Sequence, residues 1–217
     1  MILSKSARTF APVLSAALCF VIGDAASVPG KGPSEETKRA SAGPEYDAKG
    51  NLKIPTDFKT WIFVGSSLGL DYRSDVAEKT VREKAPNQER RVGDFHNVYI
   101  NRAAYGEYVK TGKFPDKTVL VMDVYQAKDK EPQNIVQGGH YSAAHRSVEV
   151  AVKNNNRPDG SKTDWAYYAF LVPDKITTAK AFKDETCFDC HHKHADDDNV
   201  WVQFYPTLRD LKKPAGK

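Results

Sequence analysis

Cys187, Cys190 and His191 stand together as Cys187-Phe188-Asp189-Cys190-His191, a C-x-x-C-H pattern. Two thiols about one helical turn apart can each add to a vinyl group on one edge of a porphyrin. The next residue then points an imidazole at the iron, and histidine is a standard iron ligand. The spacing therefore predicts one covalently held haem c, with Cys187 and Cys190 as its thioether links and His191 as the metal ligand. Two other chemistries use the same residue types. A C-x-x-C pair can close a redox disulfide, but that motif belongs on a βαβ unit, and no such unit is legible here. Cys187, Cys190, His191, His192 and His194 can instead be read as zinc donors, with Asp196, Asp197 and Asp198 as hard ligands nearby. Haem is the preferred reading. On it, His192 and His194 become solvated helix-end residues, whose cationic form suits a helix C-terminus, and the three aspartates a solvated loop.

The elements that must position these groups are mostly strands. Trp61-Ile62-Phe63-Val64, Asn97–Ile100, Thr118–Tyr125, Ser147–Lys153 and Trp165–Val172 are rich in β-branched and aromatic residues and are separated by Gly, Pro, Asn and Asp. Arg157-Pro158-Asp159-Gly160 fits a turn joining the last two strands. Those connections are too short for parallel crossovers, so antiparallel pairing follows. Arg102 to Lys110 reads as a helix closed by Gly112, and a second helical zone is expected from about Thr177 to His192. The predicted fold class is α+β, a mainly antiparallel β-sheet with a few helices and a C-terminal helix that carries the haem.

Length and composition set outer limits. A chain of 217 residues suits one domain with a tail or two. A hydrophobic fraction of 40% excludes full disorder, and three cysteines exclude a disulfide scaffold. A net charge of +4, small and scattered, argues against a nucleic-acid partner. Lys5 and Arg8, the apolar run Phe10–Ile22 and the small residues Gly23 to Ser27 describe a secretory signal peptide over 1–25. Cys19 leaves with it. The run is too short for a comfortable membrane span, so no span is expected after processing, and the mature chain is expected in the periplasm or otherwise exported. A Gly-, Pro- and Ser-rich linker is expected over 26–44, a haem domain over 45–211 and a tail over 212–217.

Beyond the motif the chain continues Asp198-Asn199-Val200-Trp201-Val202-Gln203-Phe204-Tyr205-Pro206. A C-x-x-C-H followed by an aspartate, an aromatic and Gln-Phe-Tyr-Pro resembles the cytochrome P-460 family, which includes the cytochromes c′-beta. Phe58-Lys59-Thr60-Trp61, His96–Ile100, Gly112–Leu120 and Asp164–Tyr168 fit the same pattern, so the resemblance spans roughly Tyr46 to Leu211. It implies a mainly antiparallel sheet, often in a homodimer, with one haem whose iron has histidine on one side and an open site on the other. It further implies binding or oxidation of small nitrogen species, nitric oxide and hydroxylamine, with electrons passed to a redox partner protein. Oxidising members cross-link a lysine to the haem edge. Met122 stands at that place here, with Lys117 nearby in the turn, so the resemblance leaves enzymatic oxidation open. Those members also use a carboxylate above the iron as proton acceptor, and the corresponding residue is Glu149, the candidate catalytic group. Alternation agrees: Ser147, Glu149, Ala151 and Lys153 face away from Val148, Val150 and Val152.

Two alternatives accompany this reading. Met122 packs into the core beside Leu120 and Val124, or it serves as a sixth iron ligand in an electron-transfer cytochrome without a substrate. His140 and His145, in a Gly-rich segment, could also cap the iron, although surface-loop histidines are the plainer expectation.

Overall fold

The computed structural model describes residues 43–70, 93–129 and 138–212. The expected signal peptide, nearly all of the linker and nearly all of the C-terminal tail lie outside the described residues. Five strands form an antiparallel sheet in sequence order: β2 (Ile62–Leu68), β3 (Asp94–Ile100), β4 (Val119–Asp129), β5 (His140–Lys153) and β6 (Trp165–Leu171). Two short strands, β1 (Leu52–Lys53) and β7 (Thr178–Ala179), pair separately. Helix α1 (Arg102–Thr111) crosses between β3 and β4, while α2 (Phe188–His194) and α3 (Pro206–Arg209) follow the sheet. The α+β, mainly antiparallel expectation holds. Among the described residues no helix is long and apolar enough to cross a membrane.

Period-two alternation divides the sheet into two buried faces. Val119, Val121, Val148, Val150, Val152, Ala166, Tyr168 and Phe170 pack on one face with Leu52, Phe58 and Trp61. Val98, Ile100, Leu120, Trp165 and Tyr167 pack on the other with Tyr108, Val200, Val202 and Leu208. Met122, Ala151, Cys187, Phe188 and Tyr205 lie half-buried against that second group. With both faces covered, β6 and the first four residues of β4 read as continuous apolar runs rather than as an alternation of apolar and polar residues.

Two local devices fix the covering elements. Gly112 closes α1 at φ 69°, ψ 18°, with its N–H donating to the Tyr108 carbonyl, the left-handed cap expected of that glycine. Gly65 lies at a register irregularity in β2 where α3 lands on the sheet. A Cβ there would come within 3.0 Å of Pro206 and 3.2 Å of the Phe204 carbonyl, so any larger residue would push α3 outward by a few tenths of an ångström.

Several boundaries differ from expectation. The helical zone from Thr177 to His192 is not one helix: Thr178–Ala179 is a strand, and helix begins only at Phe188. Cys187 at the N-cap makes no side-chain cap hydrogen bond, and the chain before it is tied by turns, with Thr186 N–H bonded to the Lys183 carbonyl. The strand predicted over Ser147–Lys153 begins at His140, so His140 and His145 stand on β5 rather than in a surface loop. Strand β6 ends at Leu171, one residue early, because Val172-Pro173-Asp174 turns as a 3-10 helix; proline lacks the N–H a ladder needs. The turn at Arg157–Gly160 stands as expected, with Gly160 at φ 74°.

Candidate functional site

Helix α2 starts from Cys187, whose backbone (φ −127°, ψ −50°) is not yet helical. The His191 N–H donates to the Cys187 carbonyl at 3.1 Å, which puts His191 one turn further along. Both cysteines are free thiols and half-buried. Burial pushes the Cys187 thiol up to about 11, with the Glu149 carboxylate and Cys190 adding in the same direction. Burial also raises the Cys190 thiol, against the opposing charge of Lys193. The charge of Glu149 is felt at Cys187, and Cys187 and Phe188 pack against the same side of the sheet as Met122 and Ala151.

The imidazole of His191 is enclosed by aromatic rings. Tyr167 on β6 lies at 4.3 Å between centroids, and Trp201 meets it edge-on at 5.2 Å. Nδ1 lies 2.9 Å from the Asn199 carbonyl oxygen. A carbonyl only accepts, so Nδ1 carries the hydrogen and Nε2 presents a lone pair. The Trp201 indole N–H donates to that lone pair at 3.2 Å. Burial depresses the imidazole to about 4, the Asn199 contact opposing it weakly, so His191 is neutral near pH 7. A neutral imidazole with Nδ1–H anchored and a lone pair on Nε2 is the form a metal takes, in place of the Trp201 hydrogen bond.

The Asn199 carbonyl is aimed by a tight turn. Asp197 and Val200 exchange backbone hydrogen bonds, and Asp198 and Asn199 both sit in the left-handed region at φ 46° and 64°. Two consecutive left-handed residues make a type I′ turn, which Asp and Asn tolerate better than other chiral residues. The side chains of the turn are all used. Asp198 takes Lys153 Nζ at 2.7 Å and the Trp165 indole N–H at 3.3 Å; Asp197 takes the Tyr108 hydroxyl at 2.8 Å. Asp196 takes Lys212 at 2.9 Å. The expectation of a merely solvated acidic loop is therefore corrected. His192 remains exposed but contacts Asn199 Oδ1 at 3.1 Å and stacks on Phe188, whereas His194 is exposed as expected.

Glu149 pairs in register with Met122 on one side and Ala169 on the other. It is half-buried, and the Ser147 hydroxyl reaches its Oε1 at 3.4 Å. The valines beside it bury on the opposite face, in agreement with the expected alternation. Met122 shares the face of Glu149 and packs against the Tyr167 and Leu120 group. Lys117, at φ 65° in the turn before β4, is not on that strand.

His140 and His145 do not join this group. His145 Nε2 lies 2.7 Å from Asp123 Oδ1, on the face of Val121 and Val148, and Lys59 approaches the same carboxylate at 3.6 Å. His140 pairs with Asp129 at 2.6 Å. Among the described residues no three His, Cys, Asp or Glu side chains converge as a metal site, so Cys187, Cys190, His191, His192 and His194 do not form a zinc cage. Sequence reasoning missed Tyr167, Trp201 and the Asn199 carbonyl. Aromatic strand residues carry no positional signal of their own, although the Asp-Asn pair before Val200 was a legible turn signal.

A family model described as Cytochrome P460 matches residues 55–202. Comparison with curated proteins finds no match.

Proposed function

The chain belongs to the cytochrome P460 family of haem c proteins, and from that premise we propose that it is an exported mono-haem cytochrome with histidine on one side of the iron and an open site for small nitrogen species on the other. The observation that carries the reading is the state of His191: neutral, its Nδ1–H held by the Asn199 carbonyl, and its Nε2 left as the acceptor nitrogen, met by the Trp201 indole N–H. The donor set fits the group.

When bound, haem c supplies an iron that can take up nitric oxide or draw electrons from hydroxylamine. Cys187 and Cys190 would hold it, each S–H adding across a vinyl group, sulfur to one carbon and hydrogen to the other, without net redox change. His191 Nε2 serves as the metal ligand, and Asn199 keeps the ring from turning. Trp201 donates to Nε2 at 3.2 Å and would give up that contact to the ligand. Glu149 accepts a proton at its carboxylate, and its place opposite Met122 leaves a thioether rather than an amine beside it. No cross-link forms at Met122, which favours ligand binding over fast hydroxylamine turnover. Residues 1–25 direct export, electrons leave to a redox partner, and a homodimer is the proposed assembly.

The test is the mature chain made in a host that attaches c-type haem. The expected result is one covalent haem by mass, with attachment confined to the peptide containing Cys187 and Cys190, and reduced spectra that change on adding carbon monoxide or nitric oxide. A low-spin spectrum indifferent to both gases refutes the open site and favours Met122 as sixth ligand. A peptide joined to haem through a lysine refutes the reading of Met122.

A further inference from the structure

The Asn199 carbonyl oxygen accepts two hydrogen bonds, from His191 Nδ1–H at 2.9 Å and from the Tyr167 hydroxyl at 3.1 Å. We propose that Tyr167 is a positioning residue for the iron ligand: by sharing this carbonyl it limits the negative character of the His191 imidazole and so raises the reduction potential of the haem. The inference rests on the reading of His191 as ligand.

The argument is one of competition at a fixed acceptor. A partner that accepts from the distal N–H of a metal-bound imidazole raises the basicity of the ligating nitrogen. A more basic ligand favours ferric over ferrous iron, one of the means by which a protein sets haem potential. An oxygen that already accepts a phenol O–H is a poorer acceptor for the imidazole. The acceptor cannot move away from either donor. Its turn is pinned by Lys153 and Trp165 on Asp198 and by Tyr108 on Asp197. The two donors are also held together, because the Tyr167 ring lies 4.3 Å from the His191 ring at an interplanar angle of 39°. Tyr167 is only 7% exposed, so water does not replace its hydroxyl freely.

Tyr167→Phe removes the competing donor and keeps the ring, and the carbonyl retains His191, so no buried acceptor is orphaned. Potentiometric titration of the haem-loaded protein should show the reduction equilibrium constant falling about tenfold, a potential lower by about 59 mV for one electron. The iron–histidine stretch of the reduced protein, read by resonance Raman, should rise. Site-specific 3-fluorotyrosine at position 167, a stronger donor, should move both quantities the opposite way and keeps the test open if Tyr167→Phe fails to load haem. Potential and stretch unchanged in fully loaded variants overturn the role of Tyr167 alone. A wild-type protein with covalent haem but no iron–histidine band overturns the ligand reading, and this inference with it.

Discussion

Arg157 is the strut on which the approach to the haem-binding helix hangs, and replacing it with methionine tests that claim. The side chain is 2% exposed. Its Nε and Nη2 grip Asp159 at 3.0 and 2.6 Å, and its Nη1 donates to the Trp165 carbonyl at 2.8 Å and to Asp184 at 3.1 Å. Thr163 is a further partner. Asp184 in turn accepts, through its backbone carbonyl, the Asp189 N–H in the first turn of α2. Removing one member of a buried ion pair costs roughly 3–5 kcal/mol. Asp159 and Asp184 are 37% and 33% exposed and can rehydrate, and Thr163 still reaches the Trp165 carbonyl at 3.3 Å. The expected cost of Arg157→Met is therefore about 2–4 kcal/mol. With a slope near 2 kcal/mol per molar urea, the midpoint should fall by about 1–2 M at neutral pH. The pH dependence adds a signature. Burial is the largest influence on the Asp159 carboxyl and raises it, but the hydrogen bonds and charge of Arg157 together with the Ser161 backbone N–H outweigh it and hold the group below its usual range. A depressed carboxyl contributes stability above its unfolded value, about 3.9, and loses it as pH falls through the folded value. The gap between wild type and variant should thus narrow below about pH 4. A midpoint shift under about 0.3 M at pH 7, or a gap that widens in acid, would refute the strut.

Three further outcomes are expected. Glu149→Gln should slow any hydroxylamine oxidation about 100-fold in steady-state assays, the scale of a lost general base, while mass shows haem still attached. Asn199→Val forces a β-branched residue to φ 64° and should cost about 1–3 kcal/mol by urea titration; an unchanged midpoint means the turn relaxes without loss. Leu208→Ala empties a fully buried position where α3 meets the sheet and should cost about 2–5 kcal/mol, whereas a cost below 1 kcal/mol would show that α3 does not anchor the site.

Much of this arrangement was legible in the chain because it depends on short-range pattern. Alternation in Ser147–Lys153 assigned the faces of Glu149 and its valines, since strand geometry leaves no other choice. Gly112 and Gly160 marked a helix end and a turn because their positive φ is a local requirement. The segment from Thr177 to Cys187 reads as the start of a helical zone, yet helix begins only at Phe188. Its true state depends on Thr178–Ala179 pairing with Leu52–Lys53, more than 120 residues away, and on Asp184 meeting Arg157. Gly138 and Gly139 point to a loop at His140 and His145, yet partners on β4, Asp129 and Asp123, draw them into the sheet. The motif Cys187-Phe188-Asp189-Cys190-His191 disclosed the first set of donors, but the neighbours of His191 arrive from β6 and from a turn, and only tertiary structure joins them.

The register of β4 against β5 slips between Val124 and Tyr125 and again between Tyr125 and Ala127. These slips insulate one half of the sheet from the other. Between Val119 and Val124 a residue inserted in β4 before Met122 would turn the thioether to the far face, and one inserted opposite it in β5, between Ser147 and Glu149, would place the carboxylate among the valines there. Past the slips the parity has already been reset, so residues can be gained or lost at the outer end without that exchange. The outer ends of β4 and β5 are therefore free to vary in length as relatives diverge, and a designer could graft a longer hairpin there without disturbing the chemistry. The inner six residues of β4 admit no such change.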